Sequence, residues 1–116
     1  MASVLWVSRH ALTPPQLADL RRIYGEISVQ SLDKTVSDVS DILAHPADVY
    51  AVVLPLELVA ELKKQTFAEV IVPKSARIPS GRSVWNPATN RSEAEYVFQH
   101  LHWIRVRSIS IDTEIL

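Results

Sequence analysis

Three stretches and one isolated arginine carry side chains that could do chemistry. Ser8, Arg9 and His10 stand in a row between an apolar run, residues 4–7, and the start of a helix. Pro73, Lys74, Ser75, Ala76 and Arg77 follow a second apolar run, Leu54 and Pro55 close a third, and Arg82 lies in the stretch PSGRS. Arginine and lysine hold phosphate oxygens and other anions. Histidine and serine side chains add hydrogen-bonding groups beside them. Gathered on one surface, these residues describe a cationic crevice on a chain of formal net charge −1, with a phosphate ester or other anion as its ligand.

Other chemistries find less support. Gly25 and Gly81 are the only glycines, and there is neither a Gly-x-Gly-x-x-Gly run nor a phosphate-binding lysine loop. Backbone cradling of a pyrophosphate, as nicotinamide and flavin dinucleotide sites require, is therefore not expected. The chain has no cysteine, which removes disulfides, thiolate metal ligands and a cysteine nucleophile. His100 and His102 alternate along an extended stretch and should share a face as two corners of a metal site, but no third ligand is apparent beside them. Trp6, Trp85 and Trp103 read as packing residues, and His45, before Pro46, as a helix end. Asp112 and Glu114 fall in the tail.

The elements that must position these groups follow from periodicity. Residues 4–7 form a short continuous apolar run, the mark of a strand buried on both faces. The stretch TPPQLADLRRIYG predicts a helix with Thr13 as N-cap, Pro14 at the first position, a capping box completed by Gln16, and a stop at Gly25. Leu17, Leu20 and Tyr24 share its inner face. Residues 27–32 alternate as a half-buried strand, and TVSDVSDILAHP predicts a short helix with Val36, Val39, Ile42 and Leu43 inward. Residues 49–55 are apolar throughout and should lie at the sheet centre; residues 56–66 predict a helix and residues 68–74 another buried strand. Beyond Lys74 the pattern changes to a hairpin, with NPATNR as its turn and residues 95–111 as its long second strand.

Alternation of strand and helix implies a largely parallel sheet with right-handed crossovers. Open sheets of this kind bind ligands beyond the carboxyl ends of their strands. Ser8–His10, Leu54–Pro55 and the Lys74 stretch would be three such ends on one edge, with Arg82 folding over it. The start of the first helix, aimed the same way, would favour an anion. With 116 residues the chain has room for one domain. No run approaches the length of a membrane span and the first ten residues do not read as a signal peptide, so a soluble, cytoplasmic protein is expected.

VLWVSRHALTPPQLADLRRIYG as a unit resembles the small CRISPR-associated single-domain proteins related to the CARF (CRISPR-associated Rossmann fold) group, several of which are proposed ring nucleases. The resemblance continues more loosely through VVLP, VIVPK and the hairpin around NPATNR. It implies a Rossmann-like, mostly parallel sheet flanked by helices over residues 1–116, with a C-terminal antiparallel hairpin extension at about 78–111. It implies a homodimer that binds cyclic oligoadenylate, with cyclic tetra-adenylate the first choice, and cleaves it without a metal or other cofactor, switching off type III CRISPR signalling. Duplex DNA and membranes are not expected partners. On this reading Arg9, His10 and Lys74 are catalytic, and Ser8, Leu54, Pro55, Ser75, Arg77 and Arg82 bind the ligand. Two alternatives stand beside it: a cyclic-oligonucleotide sensor or sponge with no cleavage, and an interaction module whose hairpin pairs with a partner or with itself.

Overall fold

A computed structural model of the chain describes residues 1–108 and 114–116. Its elements run β1 (Ala2–Val7), α1 (Pro14–Tyr24), β2 (Ile27–Leu32), α2 (Ser40–Leu43), β3 (Val49–Val52), α3 (Leu56–Gln65), β4 (Glu69–Asn86) and β5 (Arg91–Arg105). One five-stranded sheet takes the order β2-β1-β3-β4-β5. Its pairs are parallel except β4 with β5, which are antiparallel. The fold is thus α/β, with a mostly parallel sheet between helices and β3 at its centre.

Strand alternation divides the core between the two faces of this sheet. Leu5, Val7, Tyr50, Val52 and Val70 face α2 and α3, where Ile42, Val59 and Leu62 meet them. Val4, Trp6, Val49, Ala51 and Ile71 face α1, where Leu20 meets them with Trp103 from β5. This two-sided burial is why β1 and β3 read as unbroken apolar runs rather than as alternation. β2 lies at the sheet edge, and only Ile27 and Leu32 at its ends are even half-buried.

α1 begins where its capping signals place it. Gln16 N–H donates to Thr13 Oγ1 at 3.3 Å, and Thr13 N–H donates to Gln16 Oε1 at 3.0 Å, closing a reciprocal capping box. At the other end Gly25 takes a positive φ of 75°, a conformation a side chain would disfavour. α2 is shorter than its apolar pattern suggested. Thr35, Ser37 and Asp38 compete with helix for backbone groups, and Asp38 Oδ1 instead accepts the N–H of Ser40 at 2.9 Å, starting the helix at Ser40. Val36, Val39 and Ile42 are nevertheless buried as expected.

The largest departure from expectation is β4. It does not end at Lys74 but continues to Asn86 as one 18-residue strand. Pairing with β3 stops at Ile71, whereas pairing with β5 runs from Ile71 to Asn86. Beyond Ile71 β4 therefore has one free edge, and such an edge accommodates Pro73 and Pro79, which have no ladder donor to give. The hairpin begins at the sheet itself rather than near residue 78. Its first strand pairs with β5 only as far as Arg105, and of the expected second strand residues 109–111 lie outside the described residues. The turn falls at NPATNR as read from sequence, with Asn90 at a φ of 54°. No helix among the described residues is long and apolar enough to cross a membrane.

Candidate functional site

The carboxyl edge of the sheet holds two cavities, and Ser8 lines both. Ser8 is a buried polar residue, at 7% exposure, directly after the last residue of β1. Ser8 Oγ accepts the N–H of His10 at 3.1 Å, and Trp6 Nε1–H donates to the carbonyl of His10 at 2.8 Å. These two bonds fold residues 8–10 into a tight turn over the strand end. The Ser8 hydroxyl keeps its own proton available to a guest on either side.

One cavity, of about 180 Å³, is lined by Ser8, Arg9, Lys34, Thr35, Leu54 and Pro55, with Val7, Val36 and Val53. Lys34 Nζ lies 3.6 Å from Asp41 Oδ2, with both side chains about half exposed, a contact that water and salt weaken. α3 starts beside this cavity. The carbonyl of Pro55 accepts from Leu58 and Val59, and the N–H groups of Leu56 and Glu57 have no partner among the described residues. The second cavity, of about 430 Å³, lies on the α1 face and is lined by Trp6, Ser8, His10, Thr13, Gln16 and Phe98, with Ala11, Val53, Pro73 and Ser75. Its walls are more aromatic and less cationic.

The walls of the second cavity are held by contacts between α1 and β5. Trp103 stands edge-on to Trp6, with ring centroids 5.8 Å apart and planes at 89°. Its Nε1–H donates to the carbonyl of Gln16 at 3.2 Å. His100 Nε2 lies 2.9 Å from Asp19 Oδ2, and Asp19 Oδ1 accepts from Arg22 at 2.8 Å. Those bonds from His100 and Arg22 hold the Asp19 carboxyl below its ordinary value. His100 Nδ1 is buried with no hydrogen-bond partner among the described residues. At the opposite end of the sheet, Tyr24 donates to Glu69, which also binds Arg105. Burial, and then the bond to Glu69, raise the Tyr24 phenol above its ordinary value.

Six of the nine site residues read from sequence meet here: Ser8, Arg9, His10, Leu54, Pro55 and Ser75. Lys74, Arg77 and Arg82 do not. Pro73 and Ser75 line the α1-side cavity, and strand alternation turns Lys74, between them, to the other face. Arg77 lies out along the hairpin, its guanidinium 4.0 Å over the ring of Tyr96. Arg82 sits farther out still, in the irregular stretch between Pro79 and Ser83, where its N–H donates to Ser80 Oγ. All three depart from expectation for one reason: the stretch taken as a strand end lies inside β4.

Two further expectations change. The start of α1 has no N–H to offer an anion. Pro14 and Pro15 lack one, Gln16 gives its own to Thr13 Oγ1, and Leu17 gives its own to the Thr13 carbonyl. His100 and His102 also part company. Lys74 pairs with His102 and Ser75 with His100, leaving Leu101 as an unpaired extra residue. That bulge breaks the alternation, so His100 packs on Asp19 and Trp103 while His102 is exposed opposite Lys74. No group of three His, Asp or Glu side chains able to hold a metal occurs among the described residues.

Lys34 is the residue the sequence reading passed over. It lies two positions beyond the end of β2, a parallel strand next to β1, so the strand-end rule applied to β2 would have found it.

Comparison of the chain with protein-family models, with curated proteins and with solved structures found no match.

Proposed function

We propose that this edge binds a cyclic oligoadenylate and opens the ring, as the resemblance of residues 4–25 to CARF-related ring nucleases implies. The sheet is then a Rossmann-like sheet of that group, and the active unit is a homodimer with two such edges around one ring. The observation that supports the reading most is the buried Ser8 hydroxyl between a cationic cavity and an aromatic one. A nucleotide offers a phosphate to the first and a base to the second.

The roles follow from chemistry. Arg9 and Lys34 hold a phosphate, helped by the free N–H groups at the start of α3. Ser8 donates to a phosphate or ribose oxygen. An adenine lies in the second cavity against Phe98. A ribose 2′-OH then attacks its neighbouring phosphorus: the 2′-O–P bond forms, the P–O5′ bond breaks, and a 2′,3′-cyclic phosphate remains. His10, exposed at the cavity wall, takes the 2′-OH proton, and water supplies the proton that leaves with the 5′-oxygen. Arg9 and Lys34 stabilise the charge on the phosphorane. The reading calls for no cofactor. Lys74, assigned a catalytic part on sequence, lines neither cavity and takes none.

Alanine substitution tests the assignment. Arg9→Ala and Lys34→Ala should each weaken binding of cyclic tetra-adenylate about tenfold or more, as loss of a charge-assisted bond does, whereas Lys74→Ala should change it less than twofold. Equal losses in all three would mean that general positive charge, not this cavity, holds the ligand. His10→Ala should lower turnover while affinity holds. A protein that binds the ring and leaves it intact is a sensor or sponge rather than a nuclease.

A further inference from the structure

The hairpin carries a second inference, which does not depend on what the edge binds. From Ala76 to Asn86 β4 has β5 as its only neighbour, so this part of the hairpin is a two-stranded arm. Positive charge is concentrated around it. Residues 74–107 hold six of the chain's twelve Lys and Arg but only two of its thirteen Asp and Glu, a local balance of +4 on a chain of net −1. The two acids are engaged within the arm. Glu93 accepts from Asn86 and Thr89, and Glu95 accepts from Ser80.

Register sorts the side chains of the arm by face. Phe98 and Tyr96 lie on the α1 side, and Trp85 joins them through its partner Ser92. Arg77, opposite Phe98, lies with them. Alternation turns Glu93 and Glu95 to the opposite side, so from Ser75 outward the aromatic face holds no carboxylate. Phe98, Tyr96 and Trp85 are 78%, 44% and 57% exposed, and Trp85, which reads as a packing residue in the sequence, is thus open to solvent. The Arg77 guanidinium stacks 4.0 Å over the Tyr96 ring, so a cation and a ring are offered side by side. Arg82 and Arg91 stand farther out, towards the turn. The three rings span about 20 Å along the arm at the usual rise per strand residue. Their row begins at the α1-side cavity, whose wall includes Phe98.

We infer that this face is a platform for single-stranded nucleic acid, with bases stacked on Phe98, Tyr96 and Trp85 and phosphates held by Arg77, Arg82 and Arg91. Unpaired bases present flat faces that stack on aromatic side chains whatever their identity, and the backbone between them is a regular row of anions. Each half of the surface selects one property of the occupant. Arginines without carboxylates beside them select a polyanion. Exposed rings select one whose bases are free, because the bases of a duplex are already stacked on each other. An apolar protein surface would use the rings and leave the arginines desolvated without partners. The function proposed above concerns a cyclic ligand at the strand ends. This platform concerns a linear strand along the arm, and it holds even if the edge binds no ring.

The test is fluorescence anisotropy of a fluorescein-labelled, mixed-sequence DNA strand of about 15 nucleotides, titrated with the full chain in about 50 mM salt. The strand should bind with a Kd of about 10 µM or below, and the same strand annealed to its complement about tenfold more weakly or worse. Three phosphate contacts predict that log K falls with log salt at a slope of about −2, and Arg82→Ala should reduce that slope by about 0.7. Tyr96→Ala and Trp85→Ala should each weaken binding about fivefold or more. None of these three residues lines the candidate site. Trp6 and Trp103 are buried, so a stacked base should quench the emission of Trp85. Trp85→Phe, which keeps a ring, should lose that quenching and bind within about threefold of the wild type. Lys63→Ala, which removes the same charge from α3, should change affinity less than about twofold. Near-ultraviolet circular dichroism of the Trp6–Trp103 pair shows that each variant is folded. A folded chain that does not bind the single strand at that salt, whatever else the arm holds, overturns the proposal. So does equal affinity for strand and duplex, or binding that survives both aromatic-to-alanine substitutions.

Discussion

Ser8→Ala removes one oxygen, and the structure sets how much that oxygen is worth. Ser8 Oγ accepts a single neutral backbone hydrogen bond, from His10 N–H at 3.1 Å. The net value of such a bond is about 1 kcal/mol. The larger penalty for stranding a buried donor does not apply, because His10 is exposed and water can reach its freed N–H. The turn also keeps its second anchor, the 2.8 Å bond from Trp6 Nε1–H to the His10 carbonyl. The expected cost is therefore about 1 kcal/mol, a Tm lower by about 4 °C for a chain of this size. Urea unfolding followed by tryptophan fluorescence measures it, with an unchanged denaturant slope showing that the folded state is otherwise intact. The same variant should bind cyclic tetra-adenylate about tenfold more weakly or worse, because the lost hydroxyl is also the donor to the guest. A stability loss above about 3 kcal/mol would mean that the turn hangs on Ser8 alone and that the indole bond contributes nothing. No change in stability would mean that the Ser8–His10 bond is absent in solution. Reduced stability with unchanged affinity would leave Ser8 a turn residue and remove it from the site.

Trp103→Ala should cost about 3–5 kcal/mol, since it empties a buried site, removes the edge-on contact with Trp6 and frees the Gln16 carbonyl; Trp103→Phe should cost about 1–2 kcal/mol, and calorimetry separates the two. Acid should destabilise the chain through Asp19, whose folded-state pKa is depressed chiefly by its bond to His100 and then by that to Arg22. A carboxylate of this kind contributes its full stability above its unfolded value near 3.8 and loses it as pH falls from there through the lower folded value. Asp19→Asn should flatten the urea midpoint below about pH 4, and a midpoint that still falls as steeply in that variant would assign the acid sensitivity to other carboxylates.

Much of the frame was legible because its signals are local. The Thr13–Gln16 capping box and the Gly25 stop fixed the ends of α1, and the unbroken apolar runs of β1 and β3 marked strands covered on both faces. The first strand end then located the Ser8–His10 turn. What went wrong is non-local. Nothing in VIVPKSARIP shows that β3 stops pairing at Ile71 while β5 continues, so a single strand was read as a strand, a site loop and a separate hairpin. That error carried Lys74, Arg77 and Arg82 into the candidate site. The Leu101 bulge is equally invisible, because alternation alone puts His100 and His102 on one face and only the register of the partner strand separates them. The anion-binding start of α1 was misjudged for a local reason: the two prolines and the capping box that identify the helix start also consume the donors an anion would need.

The most direct measurement is to incubate the purified chain with cyclic tetra-adenylate in the presence of EDTA and separate the products by chromatography. The proposed function requires linear product ending in a 2′,3′-cyclic phosphate, formed at the same rate with and without the chelator and lost in Arg9→Ala and Lys34→Ala. An intact ring that neither binds nor is cut, with the protein shown to be folded, would contradict it.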